Sequence, residues 1–201
     1  MKRLRIEHAT GFEYPGDVTA SYNEARMLPG TTESQFVLSA TLDIEPAASV
    51  NTYVDYFGTK VTSFDLLSPH SELRLVARSL VEVRPRPFEH SDISWERLAV
   101  EASRTIETVE QLGQTTRTQP HPEVAEIARS IASRHENPGA AAHDIAMAIG
   151  DAVQYVQGVT GVHSTAHESW EARKGVCQDM AHITIGALGP VGIPARFVSG
   201  Y

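Results

Sequence analysis

Lys174-Gly175-Val176-Cys177-Gln178-Asp179-Met180-Ala181-His182-Ile183-Thr184-Ile185-Gly186-Ala187-Leu188-Gly189-Pro190 decides how the second half of this chain folds. Lys174-Gly175 interrupts whatever helix precedes it and Gly189-Pro190 is a stop, so the spacing predicts a helix over 177–188 with Cys177 in its first turn. The unpaired N–H groups and positive dipole end of a helix start favour the thiolate, the reactive form of cysteine. Two adjoining apolar rows, Met180-Thr184-Ala187 and Ala181-Ile185-Leu188, predict a buried helix that holds the sulfur rigidly. Cys177 is therefore the candidate nucleophile, with Gly175, Gln178 and Asp179 as its supporting neighbours.

Upstream, Thr165-Ala166-His167-Glu168 has the spacing of a capping box and predicts a short helix to about Arg173. Val124, Ile127, Ala128, Ile131 and Ala132 follow helical periodicity, with Pro122 at a first-turn position and Asn137-Pro138-Gly139 as the stop, giving a helix over 121–134. Ile145, Ala148, Ile149, Ala152, Val153 and Val156 repeat the stripe and predict a helix over 141–156. Ser91 to Leu112 carries a looser stripe (Ile93, Leu98, Ala102, Ile106, Val109), and Gly113 to Gln119 reads as a polar loop.

The N-terminal part has a period of two instead. Leu4, Ile6 and His8 alternate with polar residues; so do Phe36, Leu38, Ala40, Leu42 and Ile44, and then Leu73, Leu75, Ala77, Ser79, Val81 and Val83. Tyr53 to Phe64 places two β-forming arms around Gly58-Thr59, the composition of a hairpin. Such a series predicts an antiparallel β-sandwich. Arg84-Pro85-Arg86-Pro87 ends it, since proline cannot donate to a ladder. The expected fold class is α+β, with a β-sandwich domain over 1–88 and a helical, cysteine-bearing domain over 89–201.

Composition narrows the function classes. With 201 residues, 41% hydrophobic and 21% charged, the chain can bury a core, and disorder is excluded. Lys+Arg 17 against Asp+Glu 25 gives a net charge of −8, which repels nucleic acid and anionic membranes. No apolar run approaches a membrane span and no signal peptide is visible at the start. A single cysteine makes no internal disulfide and fits a reducing compartment, the cytoplasm.

Gly175-Val176-Cys177-Gln178-Asp179-Met180-Ala181-His182, followed by Gly192-Ile193-Pro194-Ala195-Arg196-Phe197-Val198-Ser199-Gly200-Tyr201, resembles the core of bacterial transglutaminase-like proteins. There a Gly-Val-Cys-Gln-Asp-Phe-Ala-His helix leads to a Gly-Ile-Pro-Ala-Arg-Tyr-Val-Ser-Gly-Tyr strand. His8-x-Thr10, Tyr14, Ser21-Tyr22-Asn23-Glu24-Ala25-Arg26, Asp55-Tyr56-Phe57-Gly58 and Ser68-Pro69-His70 are similar to the β-rich domain that precedes that core. Met180 and Phe197 stand where the family usually has Phe and Tyr, and Gly189-Pro190 where many members have arginine after the leucine. The resemblance implies the helical half of a papain-like, transglutaminase-like core over 89–201 and a nucleophile role for Cys177. It also implies chemistry on amide bonds of a protein or peptide substrate through a thioester, either acyl transfer from glutamine or hydrolysis.

Such a nucleophile needs a histidine base and an acidic orienting residue. His182 is the only histidine among the 24 residues after Cys177, and five residues turn a helix by about 500°, leaving it about 140° off the sulfur's face. The resemblance places the base beyond the Val-Ser-Gly-Tyr strand, so residues 1–201 read as an incomplete, inactive site ending at an artificial boundary or a natural truncation. The competing reading is a non-catalytic binding or scaffold module with an inert cysteine. His163, His167 and His143 form the best metal candidate, but His163 precedes the cap at Thr165 and the helical pair fails. Neither metal nor other cofactor is expected, and the calcium sites of animal transglutaminases have no counterpart in acidic-loop spacing. Capping accounts for Glu168 better than a carboxylate pair with Asp179, and Trp170 reads as core packing.

Overall fold

Alternating β-formers organise the first 83 residues entirely into strands and turns. A computed structural model of the chain describes residues 1–84 and 92–200, so the stop expected at Pro85 and Pro87 lies outside the described residues. The chain divides into two compact units, Met1–Phe88 and Glu89–Tyr201.

The first unit holds β1 (Lys2–Val18), β2 (Ser21–Ala25), β3 (Gln35–Glu45), β4 (Val50–Val54), β5 (Lys60–Leu66) and β6 (His70–Val83). They form two three-stranded antiparallel sheets, in the orders β1-β6-β3 and β2-β5-β4. The central strands carry the core, because only they are covered by neighbours on both edges. Phe64 and Leu66 of β5 cluster with Leu73 and Leu75 of β6, and Tyr14, Leu42 and Ile44 pack against them. The β4–β5 hairpin closes through Asp55, whose Oδ1 accepts from the Phe57 and Thr59 N–H groups at 3.0 and 2.9 Å, while Gly58 takes a φ of 78° that most other residues avoid. Buried His70 gathers the family-like residues: its Nδ1–H donates to Ser68 O at 2.8 Å, so Nε2 is the acceptor facing Ser21 Oγ at 3.2 Å, with the Tyr14 ring edge-on.

One expectation changes here. The register of β3 against β6 slips between Val37 and Ser39, and a one-residue bulge reverses every side chain before it. Ala40, Leu42 and Ile44 accordingly face inward, whereas Phe36 and Leu38 are exposed. Ser21-Tyr22-Asn23-Glu24-Ala25, named above only for its family likeness, forms β2 because β5 supplies its partner ladder.

The second unit begins with two short helices, α1 (Trp95–Ala102) and α2 (Ile106–Leu112), rather than one over Ser91 to Leu112; Ser91 itself lies outside the described residues. Thr105 caps α2 through the Thr108 N–H at 3.2 Å and so restarts the chain. There follow α3 (Pro122–Ala132), α4 (Pro138–Ala152), β7 (Gln154–Tyr155), α5 (Ala166–Ala172), β8 (Lys174–Gly175) and α6 (Cys177–Leu188), then a 3₁₀ turn over Gly189–Val191. Asn137-Pro138-Gly139 ends α3 as expected but also starts α4: Asn137 Oδ1 accepts from Gly139 and Ala140 N–H, and Pro138 occupies the first turn. The helix stops at Ala152, short of the expected 156, because Gln154 and Tyr155 pair in parallel with Lys174 and Gly175.

The core draws Val124, Ala128 and Ile131 from α3, Ile145 and Ile149 from α4, Trp170 from α5, and Ile183, Ala187 and Leu188 from α6. Each fully buried Ile or Val contributes about 1.5–3 kcal/mol. The α6 face that turns inward carries Asp179, His182, Ile183, Gly186, Ala187 and Leu188; of the two expected rows Ala187 and Leu188 are buried, whereas Met180, Ala181, Thr184 and Ile185 are only half-buried. A hydrophobic count places charged Asp179 outside; the structure places it inside with partners.

Gly186 separates close approach from propensity. A Cβ there would run into the Thr118 carbonyl oxygen, whereas one at Gly150 of α4 meets nothing within 4 Å. Gly186→Ala should cost about 3 kcal/mol and Gly150→Ala should be neutral or gain up to about 1 kcal/mol. Urea unfolding of the two variants, followed by circular dichroism, checks the sign of each.

Candidate active site

Three consecutive devices fix the chain before Cys177. Thr165 and Glu168 make the expected capping box at the start of α5: Glu168 N donates to Thr165 Oγ1 at 3.2 Å and Thr165 N to Glu168 Oε2 at 2.9 Å. The Thr165 N–H first, and then the Thr165 hydroxyl that also donates to Oε2 at 2.9 Å, hold the Glu168 carboxyl below the usual carboxylate range. At the other end Arg173 takes a left-handed φ of 52°, and its guanidinium lies 3.7 Å from the centroid of the Trp170 ring. Glu123 of α3 accepts from Trp170 Nε1 at 2.9 Å and pairs with Arg173 at 2.7 Å; the Trp170 bond first, then Arg173, holds its carboxyl below the usual range. The β7–β8 bridge then takes over, with Gln154 N donating to Arg173 O and Val156 N to Gly175 O, both at 2.9 Å.

The helix start is locked by Asp179, which is 1% exposed. Its Oδ2 accepts from the Val176 N–H at 2.7 Å and from Thr160 Oγ1 at 2.6 Å, and its Oδ1 accepts from Ser169 Oγ at 3.2 Å. Val176 has no side-chain acceptor, so this is the return half of a capping box alone. Gly175 is buried against the same carboxylate: a Cβ would fall 2.7 Å from Asp179 Cβ and 2.8 Å from Oδ2. A backbone this close admits only glycine.

Cys177 opens α6 with an exposed side chain, and Gln178 beside it is half-buried. Among the described residues no hydrogen bond joins the sulfur to an imidazole. His182 turns inward, 8% exposed, against the Phe197 ring at 5.5 Å, and its Nδ1 has no partner. Burial first, with Arg117 adding, lowers its pKa below the ordinary histidine value. Of the residues named from sequence, Gly175, Cys177 and Asp179 meet at one helix start. Thr160 and Ser169, which complete the Asp179 shell, were missed, since nothing local in sequence links positions 19 and 10 residues upstream to that carboxylate. His163 stands with Arg117, whereas His167 meets His121 and Glu171, a grouping the histidine spacing did not suggest.

Residues 4–82 match the bacterial transglutaminase-like N-terminal region, and residues 125–201 match the transglutaminase-like superfamily core. The chain is 38% identical over its full length to an uncharacterized protein of Mycobacterium leprae, of which it spans 71%. It is 30% identical over 99% of its length to an uncharacterized protein of Mycobacterium tuberculosis, spanning 65% of that relative. In fold it is similar to the crystal structure of a candidate cysteine protease from Cytophaga hutchinsonii, with a TM-score of 0.75, 18% identity, and coverage of 96% of this chain and 64% of the other. This chain belongs to the transglutaminase-like superfamily.

Replacing Asp179 by alanine strands the buried Ser169 hydroxyl and frees the half-buried Thr160 hydroxyl and Val176 N–H, and at about 1–3 kcal/mol for a buried unsatisfied group should destabilise the chain by about 2 kcal/mol or more, measured by urea unfolding. His182 supplies a second test. The unfolded chain protonates it near pH 6.5 while the folded chain resists protonation to lower pH, so its presence makes stability fall as pH drops below about 6.5. Unfolding free energies of the native chain and of His182→Phe, compared between pH 8 and pH 5, should show the shallower pH slope in the variant.

Proposed function

We propose that Cys177 is the nucleophile of an enzyme that acts on amide bonds of a protein or peptide substrate, with residues 1–88 as an N-terminal domain and 89–201 as the cysteine-bearing part of the core. The observation that carries this reading is the exposed thiol on a mount held by Gly175 and Asp179; a structural cysteine would be buried. The thiolate adds to the amide carbonyl carbon, the C–N bond breaks, and the departing nitrogen takes up a proton, leaving a thioester. An amine or water then attacks that carbonyl, the C–S bond breaks, and the thiolate returns. An amine acceptor makes the reaction acyl transfer from glutamine; water makes it hydrolysis. The proton carrier is a histidine that the family resemblance places after Val198-Ser199-Gly200-Tyr201. Among the described residues no helix is long and apolar enough to cross a membrane, and with one cysteine the reading places the protein in the reducing cytoplasm.

Iodoacetamide labelling near neutral pH and turnover of glutamine-containing peptides test it on three proteins: the 201-residue chain, its Cys177→Ala form and a version extended beyond Tyr201. The first should label faster than a free model thiol yet turn over peptide several orders of magnitude more slowly than the extended protein, since amide cleavage needs the base as well as the sulfur. Labelling no faster than the model thiol, with no turnover by the extended protein, identifies a binding module with an inert cysteine instead.

A further inference from the structure

His121 caps α3 and His167 lies in the first turn of α5, yet their ring centroids are only 4.7 Å apart. Glu171, one turn after His167, brings a carboxylate oxygen to 3.7 Å from His167 Nε2. One ligating atom from each of the three lies within 4.8 Å of the others. We propose that His121, His167 and Glu171 bind a divalent transition-metal ion of the zinc type, which clips the start of α3 to α5.

The donor set selects the ion. Two imidazoles and one carboxylate suit zinc and its first-row neighbours, whereas calcium and magnesium require oxygen cages. Bonds of about 2.0–2.2 Å need the donor atoms somewhat closer than they stand, and half-exposed or exposed side chains can close that gap by small rotations. Most of the positioning is already present. His167 and Glu171 share a helix face at i, i+4, the His121 ring is held by accepting the Glu123 N–H on Nδ1 at 3.2 Å, and Glu123 ties the same two helices through Trp170 and Arg173. Coordination through His121 Nε2 moves the imidazole proton to Nδ1 and gives up that capping bond, so affinity on the order of micromolar is expected rather than the tighter binding of a site with a supporting outer shell. Three protein ligands leave one position for water.

The test is independent of Cys177 chemistry. The metal-free 201-residue chain is titrated with zinc by calorimetry and with cobalt(II) by visible absorption, and its melting temperature is recorded with and without zinc. We expect one zinc per chain, a cobalt spectrum of low-coordinate type, and a melting temperature raised by zinc. His121→Asn, which keeps a cap-competent side chain, as well as His167→Ala and Glu171→Gln should each weaken binding by about tenfold or more while retaining the native circular dichroism, and Cys177→Ala should bind as the native chain does. No zinc binding at 100-fold excess, binding unchanged by the three substitutions, or binding lost on removal of Cys177 alone overturns the proposal.

Discussion

A single buried carboxylate organises the cysteine-bearing unit. Asp179 sits inside the protein and takes hydrogen bonds from three separate pieces of chain: the loop at Thr160, helix α5 at Ser169, and the turn at Val176. Burying a carboxylate without partners costs several kcal/mol, so these donors are conditions of the fold rather than additions to it. Their geometry also dictates Gly175, because the carboxylate occupies the space a side chain would need. Cys177 lies between the two, and its direction follows from theirs.

Around this lock the other contacts fall into place by ordinary packing. Helix α6 runs through the middle of its unit, touching α3, α4 and α5, and its inward residues shrink to Gly186 and Ala187 where the Thr118 backbone crosses. Glu123 extends the arrangement outward by joining α3 to Trp170 and Arg173. The ion pairs on the surface of the first unit, such as Arg78 with Glu7 and Asp43, are exposed and add little to stability.

Patterns that depend on neighbours in sequence were readable without coordinates. The stripe of α3, the capping box of α5 and the stop after Leu188 are all local, and each predicts an element within a residue or two. What failed was whatever needed a distant partner. The bulge at Leu38 exists only relative to β6, and Ser21–Ala25 is a strand only because β5 lies alongside. The inward place of Asp179 on α6 was missed for the same reason: a carboxylate counts as outward unless its donors, 10 and 19 residues upstream, are known. At the candidate site, Gly175, Cys177 and Asp179 stand close in sequence and were legible together. Thr160 and Ser169 reach the carboxylate from a loop and from α5, and no local pattern links either to Asp179.

The pairing of β1 with β6 sets an order of events during synthesis. Lys2 lies opposite Val83 and Phe12 opposite Leu73, so β1 finds its ladder only after some 60 to 80 further residues have been added, several seconds at about 5–20 residues per second. Through that interval a 17-residue strand has no native partner, and its alternate charges, Arg3, Arg5 and Glu7 among them, discourage pairing with another chain. In the second unit α3 meets α4 across a connection of a few residues and needs no such protection.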